Sequence, residues 1–366
     1  FYDTRYNGTV TDVEAEAERL CNAEFELAPH QAFVRNFLSF QTPYNSLLLY
    51  HGLGSGKTCS AISVAEEMRD YMKQIGISQR IIIVAAPNIQ DNFRLQLFDE
   101  RKLKETDGYW NIKSCVGNKL LREINPMNVR GLPRDKVVSY IKRIISNSYL
   151  FLGYIEFANY IAKKGDLNPD DPDASDPKKM AAKQSKKLRR VFDNRLVIID
   201  EVHDIRVTDD NKKKRVALEL MRLVKSTENL RLLLLSATPM YNSYKEIVWL
   251  VNLMNINDKR APIDVREVFD DDGDFKTDSR GNEVGRELLE RKATGYVSFV
   301  RGENPYMFPF KIWPRYFAPE HTLLSGGDYP RKQMNGRDVV QVLQYIQLYM
   351  SHIGEYQKLG YDFILN

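Results

Sequence analysis

Five short runs dominated by Leu, Ile and Val punctuate the chain at Ser46–Tyr50, Ile81–Ala85, Tyr149–Tyr154, Leu196–Ile199 and Arg231–Leu235. Runs of this length without polar alternation predict strands covered on both faces. Between them apolar residues return every three or four positions. Ala61, Ala65, Met68, Met72 and Ile75 lay one stripe along a helix, and Val339, Val342, Leu343, Ile346, Met350 and Ile353 predict another near the end. A further helix is expected over Gln31–Phe40. Strands interleaved with helices imply right-handed β-α-β units, so the predicted class is α/β, a mostly parallel sheet with helices on both faces.

Two polar stretches interrupt this rhythm. Residues 168–176 read NPDDPDASD, a turn or linker, and the following KKMAAKQSKKLRR carries seven Lys or Arg from Lys178 to Arg190 with no acid, which predicts a basic helix. Together they form a charged insertion at about 163–190. Lys212–Arg215 is a second basic run, and DDDGD at 270–274 opens a polar loop. Either basic run could track phosphates or be a solvated helix face. The chain has 366 residues, 43% hydrophobic and 28% charged, which suits about two globular domains and excludes a disordered or fibrous chain. The longest apolar stretches fall far short of the roughly 18 residues of a membrane span, so no membrane partner is expected. A net charge of +4 neither demands nor forbids nucleic acid. Three cysteines, Cys21, Cys59 and Cys115, odd in number and without C-x-x-C spacing, argue against disulfides or zinc and for a reducing compartment. Cys59 reads as a small packed residue. The start at Phe1, without Met, suggests an excised part of something longer.

The most specific chemical signal is His51-Gly52-Leu53-Gly54-Ser55-Gly56-Lys57-Thr58, directly after a predicted strand and before an amphipathic helix. That is the context of a P-loop. Glycines let backbone N–H groups approach phosphate oxygens, so Gly52, Gly54, Ser55 and Gly56 are candidate ATP-binding residues. Lys57 supplies charge at the β and γ phosphates, and the Thr58 hydroxyl is placed to ligate Mg²⁺. His51 stands where the general pattern has its first glycine.

A strand at Leu196–Ile199 ends in Asp200-Glu201-Val202-His203. Adjacent carboxylates can divide two tasks, Asp200 holding the Mg²⁺ shell and Glu201 orienting and deprotonating the attacking water. A third strand ends in Ser236-Ala237-Thr238-Pro239, whose hydroxyls could relay the presence of the γ-phosphate. No second His or Cys stands at metal-ligand spacing from His203, which is assigned to coupling with Ser236 and Thr238.

HGLGSGKT, DEVH and SATP in this order resemble motifs I, II and III of superfamily-two helicases and translocases. The resemblance implies a RecA-like P-loop NTPase lobe using ATP and Mg²⁺. It places Gln31 as the adenine-reading glutamine, Pro87 and Asn88 in motif Ia, and Gly153 and Tyr154 in motif Ib, both facing a nucleic-acid backbone. The segment from Ser236 to Asn255, together with Tyr296–Tyr306, resembles the helicases and early-transcription-factor ATPase subunits of large cytoplasmic DNA viruses: poxviruses, asfarviruses, iridoviruses and mimiviruses.

This implies a first RecA-like domain over 1–295, then a connecting segment over 296–366 towards a second lobe. No Q-x-x-G-R-x-x-R pattern of that lobe follows Asn304, so slow turnover is expected without its arginines, which are worth roughly 10³ to 10⁵ in rate. The expected function is ATP-driven movement on, or remodelling of, DNA or RNA. An ATP-gated early-transcription initiation or assembly factor is the rival. A metabolic kinase is disfavoured, because it would not need the Ser-Ala-Thr strand tip. Expected partners are nucleic acid, the second lobe, and viral RNA polymerase or transcription-factor subunits. The expected location is the virion and host cytoplasm for a viral protein, and otherwise a reducing intracellular compartment.

Overall fold

The predicted strands form because their residues cannot be left in water. The computed structural model describes residues 27–127, 129–166, 176–205, 211–240, 243–300, 314–323, 329–333, 336–340 and 348–365, with positions 15 and 18. Its central sheet contains β1 (Ser46–His51), β2 (Ile81–Val84), β5 (Tyr149–Leu152), β6 (Leu196–Ile199), β7 (Arg231–Ser236) and β8 (Val297–Val300). They lie in the order β5-β2-β6-β7-β1-β8, all parallel. Successive side chains of β1, β2, β6 and β7 point to opposite faces, and both faces are apolar. Leu47, Leu49, Ile81, Ile83, Leu233 and Leu235 join one core with Val34, Ala61, Ala65, Met68 and Phe93. Leu48, Ile82, Val84, Val197, Leu232 and Leu234 join the other with Phe157, Ile161, Leu188, Leu220 and Leu253.

The first core is covered by α1 (Pro29–Phe37), α2 (Lys57–Gln74) and α3 (Pro87–Leu97), and the second by α6 (Tyr154–Gly165), α7 (Pro177–Phe192), α8 (Asn211–Ser226) and α9 (Glu246–Asn257). Both basic runs are helical, in α7 and α8. The Asp176 carboxylate caps α7 by accepting from the Lys178 and Lys179 N–H groups. Residues 167–175 of the acidic turn and the Lys212–Lys214 side chains lie outside the described residues.

Four expectations are corrected. The strand foreseen over Tyr149–Tyr154 stops at Leu152, because Gly153 caps α6 and its N–H donates to Glu156 Oε2 at 2.8 Å. Tyr154 is therefore a helix residue. The helix foreseen at 339–353 is not formed at its described positions: Leu348–Tyr349 pairs with Thr322–Leu323 as an antiparallel ribbon, and Val340 is exposed. Val342, Leu343 and Ile346 lie outside the described residues. β8, read as part of a connecting segment after residue 295, instead adds an edge to the main sheet beside β1. The chain divides into compact units Phe1–Met307 and Phe308–Asn366.

The fourth concerns cysteine. Between α3 and β5 lies a small body that the mainly polar run at 103–112 did not reveal. A hairpin of β3 (Leu103–Thr106) and β4 (Tyr109–Ile112) packs with α4 (Lys119–Ile124) and α5 (Arg134–Ser148) around Phe98, Leu103, Ile112, Leu120, Leu121, Val137 and Ile141. It docks on α2 through Lys119 to Glu66 and Asp70, and through Glu123 to Arg69. Docking carries Cys115 to Cys59, and the two are joined by a disulfide across 56 positions, with Cα atoms 5.2 Å apart. An odd count excludes only complete pairing, and spacing along the chain says nothing of a contact made by docking. Cys21 lies outside the described residues.

A link that closes a loop of this length stabilises by about 2–4 kcal/mol. Reductant should therefore lower the thermal midpoint, Cys115→Ser should lower it equally, and the two together no further; calorimetry with and without reductant checks this.

Candidate active site

All the chemistry-bearing residues on the sheet emerge at its carboxyl end, where open parallel sheets bind ligands. The loop after β1 turns through Gly54 and Gly56, both at φ 75°, a left-handed conformation that glycine adopts without strain. Gly56 is doubly constrained, since a Cβ there would lie 2.5 Å from Gln31 Nε2. The Ser55 hydroxyl donates to the Gly52 carbonyl at 2.7 Å and holds the loop closed. Gly52 has an ordinary φ, and a Cβ on it would only touch the Val300 carbonyl at 3.9 Å.

Gln31 and His30, at the start of α1, grip this loop. Gln31 Nε2 donates to the Gly56 carbonyl at 3.2 Å while its Oε1 accepts from the Ala28 N–H at 3.0 Å. His30 Nε2 lies 2.8 Å from the Ser55 carbonyl. The pairing of His30 with the loop was not foreseen, although its place beside Gln31 was the available signal. The same is true of Ser298 on β8, whose hydroxyl lies 2.9 Å from His51 Nε2. His51 is fully buried in β1, and its Nδ1 has no hydrogen-bond partner among the described residues. Burial, then His30 and Lys57, lower its pKa to about 4, so the ring is neutral.

The Lys57 ammonium folds back over the loop and donates to the His51 carbonyl at 2.9 Å and the Gly52 carbonyl at 3.4 Å. Burial lowers its pKa, and the negative charges of Glu201 and Asp200 oppose the shift. Lys57, at the start of α2, and the carboxylates that follow β6 share the carboxyl end of the sheet. Asp200 follows β6 directly and is buried, with Oδ1 accepting from the Glu201 N–H at 3.0 Å. Burial pushes its carboxyl up to about 6, the Glu201 charge adds to the rise, and the Glu201 N–H and Lys57 oppose it.

Glu201 itself is left-handed at φ 44°, a strained conformation for a residue with a Cβ. Its Oε2 is buried without a hydrogen-bond partner among the described residues, 3.3 Å from His203 Nδ1. That ring nitrogen lies 3.0 Å from Ser236 Oγ, which also accepts from the Thr238 N–H at 3.0 Å. Ser236, at the end of β7, is buried and Thr238 is exposed. His203 and Ser236 thus make a direct bridge between two strand tips, to which Thr238 contributes backbone.

The motif Ia and Ib positions sit at neighbouring tips. Pro87 and Asn88 are exposed in the first turn of α3, after β2, and Gly153 and Tyr154 begin α6, after β5. Part of the Lys178–Arg190 run has a structural duty, since Lys187 donates to the Asp166 carbonyl and Arg189 to the Ser226 carbonyl. The segment Arg301–Tyr306, with Tyr241 and Asn242, lies outside the described residues.

No dedicated metal cage is present among the described residues, where no cluster of three His, Cys, Asp or Glu could hold a metal unaided, and the oxygens that could serve a nucleotide-borne Mg²⁺ are few. Magnesium needs only one or two protein oxygens beside phosphate and water, and Thr58 in the first turn of α2 and Asp200 after β6 carry oxygens that would serve. Fold and site together define a RecA-like P-loop lobe, an α/β unit with its nucleotide-type loop after the first strand and its carboxylates two strands away.

No family model matches the chain. Its similarity is to proteins of large DNA viruses. It is 24% identical over 321 residues to a mimivirus protein (Acanthamoeba polyphaga mimivirus) provisionally named an ATP-dependent RNA helicase, covering 83% of this chain and 25% of that protein. A second protein of that virus with the same kind of name is 28% identical over 295 residues, 78% of this chain and 43% of its own length. The early transcription factor large subunit homolog of African swine fever virus is 26% identical over 330 residues, 77% of this chain and 28% of that protein. The chain thus spans less than half the length of these curated relatives. The resemblance read from the motifs holds at this level, to viral helicases and a viral early transcription factor alike.

His51 and Asp200 titrate with opposite consequences for stability. Unfolded His51 takes its proton near 6.5 but folded His51 only near 4, so acidification between those values favours unfolding. Folded Asp200 takes its proton near 6 but unfolded only near 3.8, so acidification there favours folding. Asp200→Asn should stabilise the protein at pH 7 by about 1–3 kcal/mol and abolish the gain on acidification. His51→Asn should abolish the opposing loss. Urea titrations at pH 7 and pH 5 read both.

Proposed function

We propose that this chain is the ATP-binding lobe of a viral helicase or translocase, which couples ATP hydrolysis to movement on, or remodelling of, DNA or RNA. The observation that carries the reading is the shared placement of the glycine-rich loop and Lys57 after β1 and of Asp200 and Glu201 after β6, at the carboxyl end of one parallel sheet. A glycine-rich loop alone would be a helix cap; with a lysine and two carboxylates at the same sheet end it suits a charged phosphate chain. The similarity to helicase-named viral proteins supports the same assignment.

In this reading the N–H groups of Gly54, Ser55 and Gly56 bind phosphate oxygens. Lys57 exchanges the His51 and Gly52 carbonyls for the β and γ phosphates, and Gln31 reads the base. Thr58 and Asp200 hold Mg²⁺, which when bound neutralises phosphate charge. Glu201, with a buried oxygen lacking a hydrogen-bond partner among the described residues, accepts the proton of the attacking water. The His203–Ser236 bridge reports the state of that site to the tip of β7. Pro87, Asn88 and Gly153 face the polynucleotide backbone, to which backbone N–H groups and small polar side chains suffice.

Residues 1–295 with β8 form the first RecA-like domain, and the following segment leads towards a second lobe whose arginines complete the site. Slow turnover by this chain alone follows. Its place is the virion and the cytoplasm of the infected cell, with viral polymerase or transcription-factor subunits as partners. Among the described residues no helix is long and apolar enough to cross a membrane.

A second reading, an ATP-gated early-transcription factor without processive motion, is favoured by the similarity to the African swine fever virus subunit homolog. Triplex displacement by the intact protein separates the two, since only a translocase displaces the third strand. In either case Glu201→Gln should lower the hydrolysis rate by about 10² to 10⁴ with nucleotide affinity retained, whereas Lys57→Ala should lose nucleotide binding. Unchanged turnover in both variants, read by phosphate release and fluorescent-nucleotide titration, would remove the assignment.

A further inference from the structure

The Tyr154 hydroxyl does not face a ligand. It donates to the carbonyl of Asp200 at 2.9 Å, while the ring packs against the core beneath β5 and β6. That bond spans two functional elements, because Tyr154 is the first residue of α6 beside Gly153, and the Asp200 carbonyl begins the peptide unit that leads to Glu201.

The same peptide unit is held at its other end, where the Glu201 N–H donates to Asp200 Oδ1 at 3.0 Å. With its C=O held by Tyr154 and its N–H by Asp200, the plane has one orientation, and that orientation sets the left-handed φ of 44° that aims the Glu201 carboxylate. A non-glycine residue keeps such a conformation only where its surroundings over-determine it. Two further bonds tie the neighbouring tips into the same frame: the Asp200 N–H donates to the Val84 carbonyl at 3.0 Å, and the Ala85 N–H to the Leu152 carbonyl at 3.1 Å. The strand ends that precede Pro87 and Gly153 therefore share one hydrogen-bonded lattice with the carboxylate pair. The phenol is dependable as a donor. Burial, with the charges of Asp204, Asp200 and Glu201, raises its pKa well above the ordinary value, so it stays protonated.

From this geometry we infer that Tyr154 is a positioning residue, which transmits polynucleotide occupancy at the tips of β2 and β5 to the aim of the Glu201 carboxylate through the Asp200 carbonyl. A backbone phosphate settling on Gly153 and the start of α6 shifts or steadies the first turn of that helix. The hydroxyl passes the change to the Asp200–Glu201 peptide, and hydrolysis accelerates. The inference rests on the helicase reading and adds the route by which nucleic acid regulates that site.

The test uses the intact protein with Tyr154→Phe, which keeps the ring and removes only the donor. Hydrolysis is measured with and without a single-stranded homopolymer, and homopolymer affinity by fluorescence anisotropy. The stimulated kcat should fall about ten-fold, and fall more than the unstimulated kcat, while KM for ATP and homopolymer affinity stay within about two-fold. A purely structural role would lower both rates in proportion and move the thermal midpoint. Tyr154→Met, similar in bulk and likewise without a hydroxyl, must behave as Tyr154→Phe does. If both variants keep the wild-type ratio of stimulated to unstimulated rate, the relay is wrong and the helicase reading stands. If wild-type protein is stimulated neither by single-stranded DNA or RNA homopolymers nor by duplex DNA, the helicase reading falls and the relay with it.

Discussion

The site depends on where one ammonium group can rest. Lys57 sits partly buried at the end of an apolar sheet, where a cation without partners would be costly. It is held by two carbonyls of its own loop, those of His51 and Gly52, and it feels the carboxylates of Asp200 and Glu201. These bonds tie the ammonium to the loop that carries it. In the proposed function they also leave an exchange open, because phosphate oxygens are stronger acceptors than neutral carbonyls for the same donor. The loop's glycines follow from that requirement: Gly56 must turn left-handed within van der Waals reach of Gln31, and only a residue without a side chain fits.

Around this centre, strand ends are tied to one another by single hydrogen bonds. His51 meets Ser298 between β1 and β8, His203 meets Ser236 between β6 and β7, and Tyr154 meets the Asp200 carbonyl between β5 and β6. Each bond lies at the edge of a dry core, where a polar group left without a partner is expensive, so each fixes a relative position as well as an energy. The two faces of the sheet are apolar throughout and act as a rigid support, since close-packed interiors transmit strain more readily than they absorb it.

The periphery follows other rules. The small body at 98–148 has its own core and is attached to α2 by ion pairs and a disulfide. The basic helix α7 spends part of its charge on carbonyls at the ends of α6 and α8, which leaves fewer of its cations for a polyanion than composition implies.

Much of this was legible in the chain. The apolar runs of β1, β2, β6 and β7 announced a parallel sheet, because a strand covered on both faces has no polar positions to alternate. The order of HGLGSGKT, DEVH and SATP named candidate residues, and the fold gathers the ends of their three strands at one end of the sheet, because each motif directly follows a parallel strand. Tertiary structure alone decided the rest. Val297–Val300 became an edge strand because β1 needed a partner, which no local pattern records. At its described positions the stripe at 339–353 misled because spacing states a preference, and the pairing of Leu348–Tyr349 with Thr322–Leu323 overrode it there. Cys59 met Cys115, and the Tyr154 hydroxyl met the Asp200 carbonyl, through contacts between segments far apart in the chain. Local sequence fixes what a segment prefers, whereas the partner of a distant hydrogen bond or sulfur atom is chosen only when the segments dock.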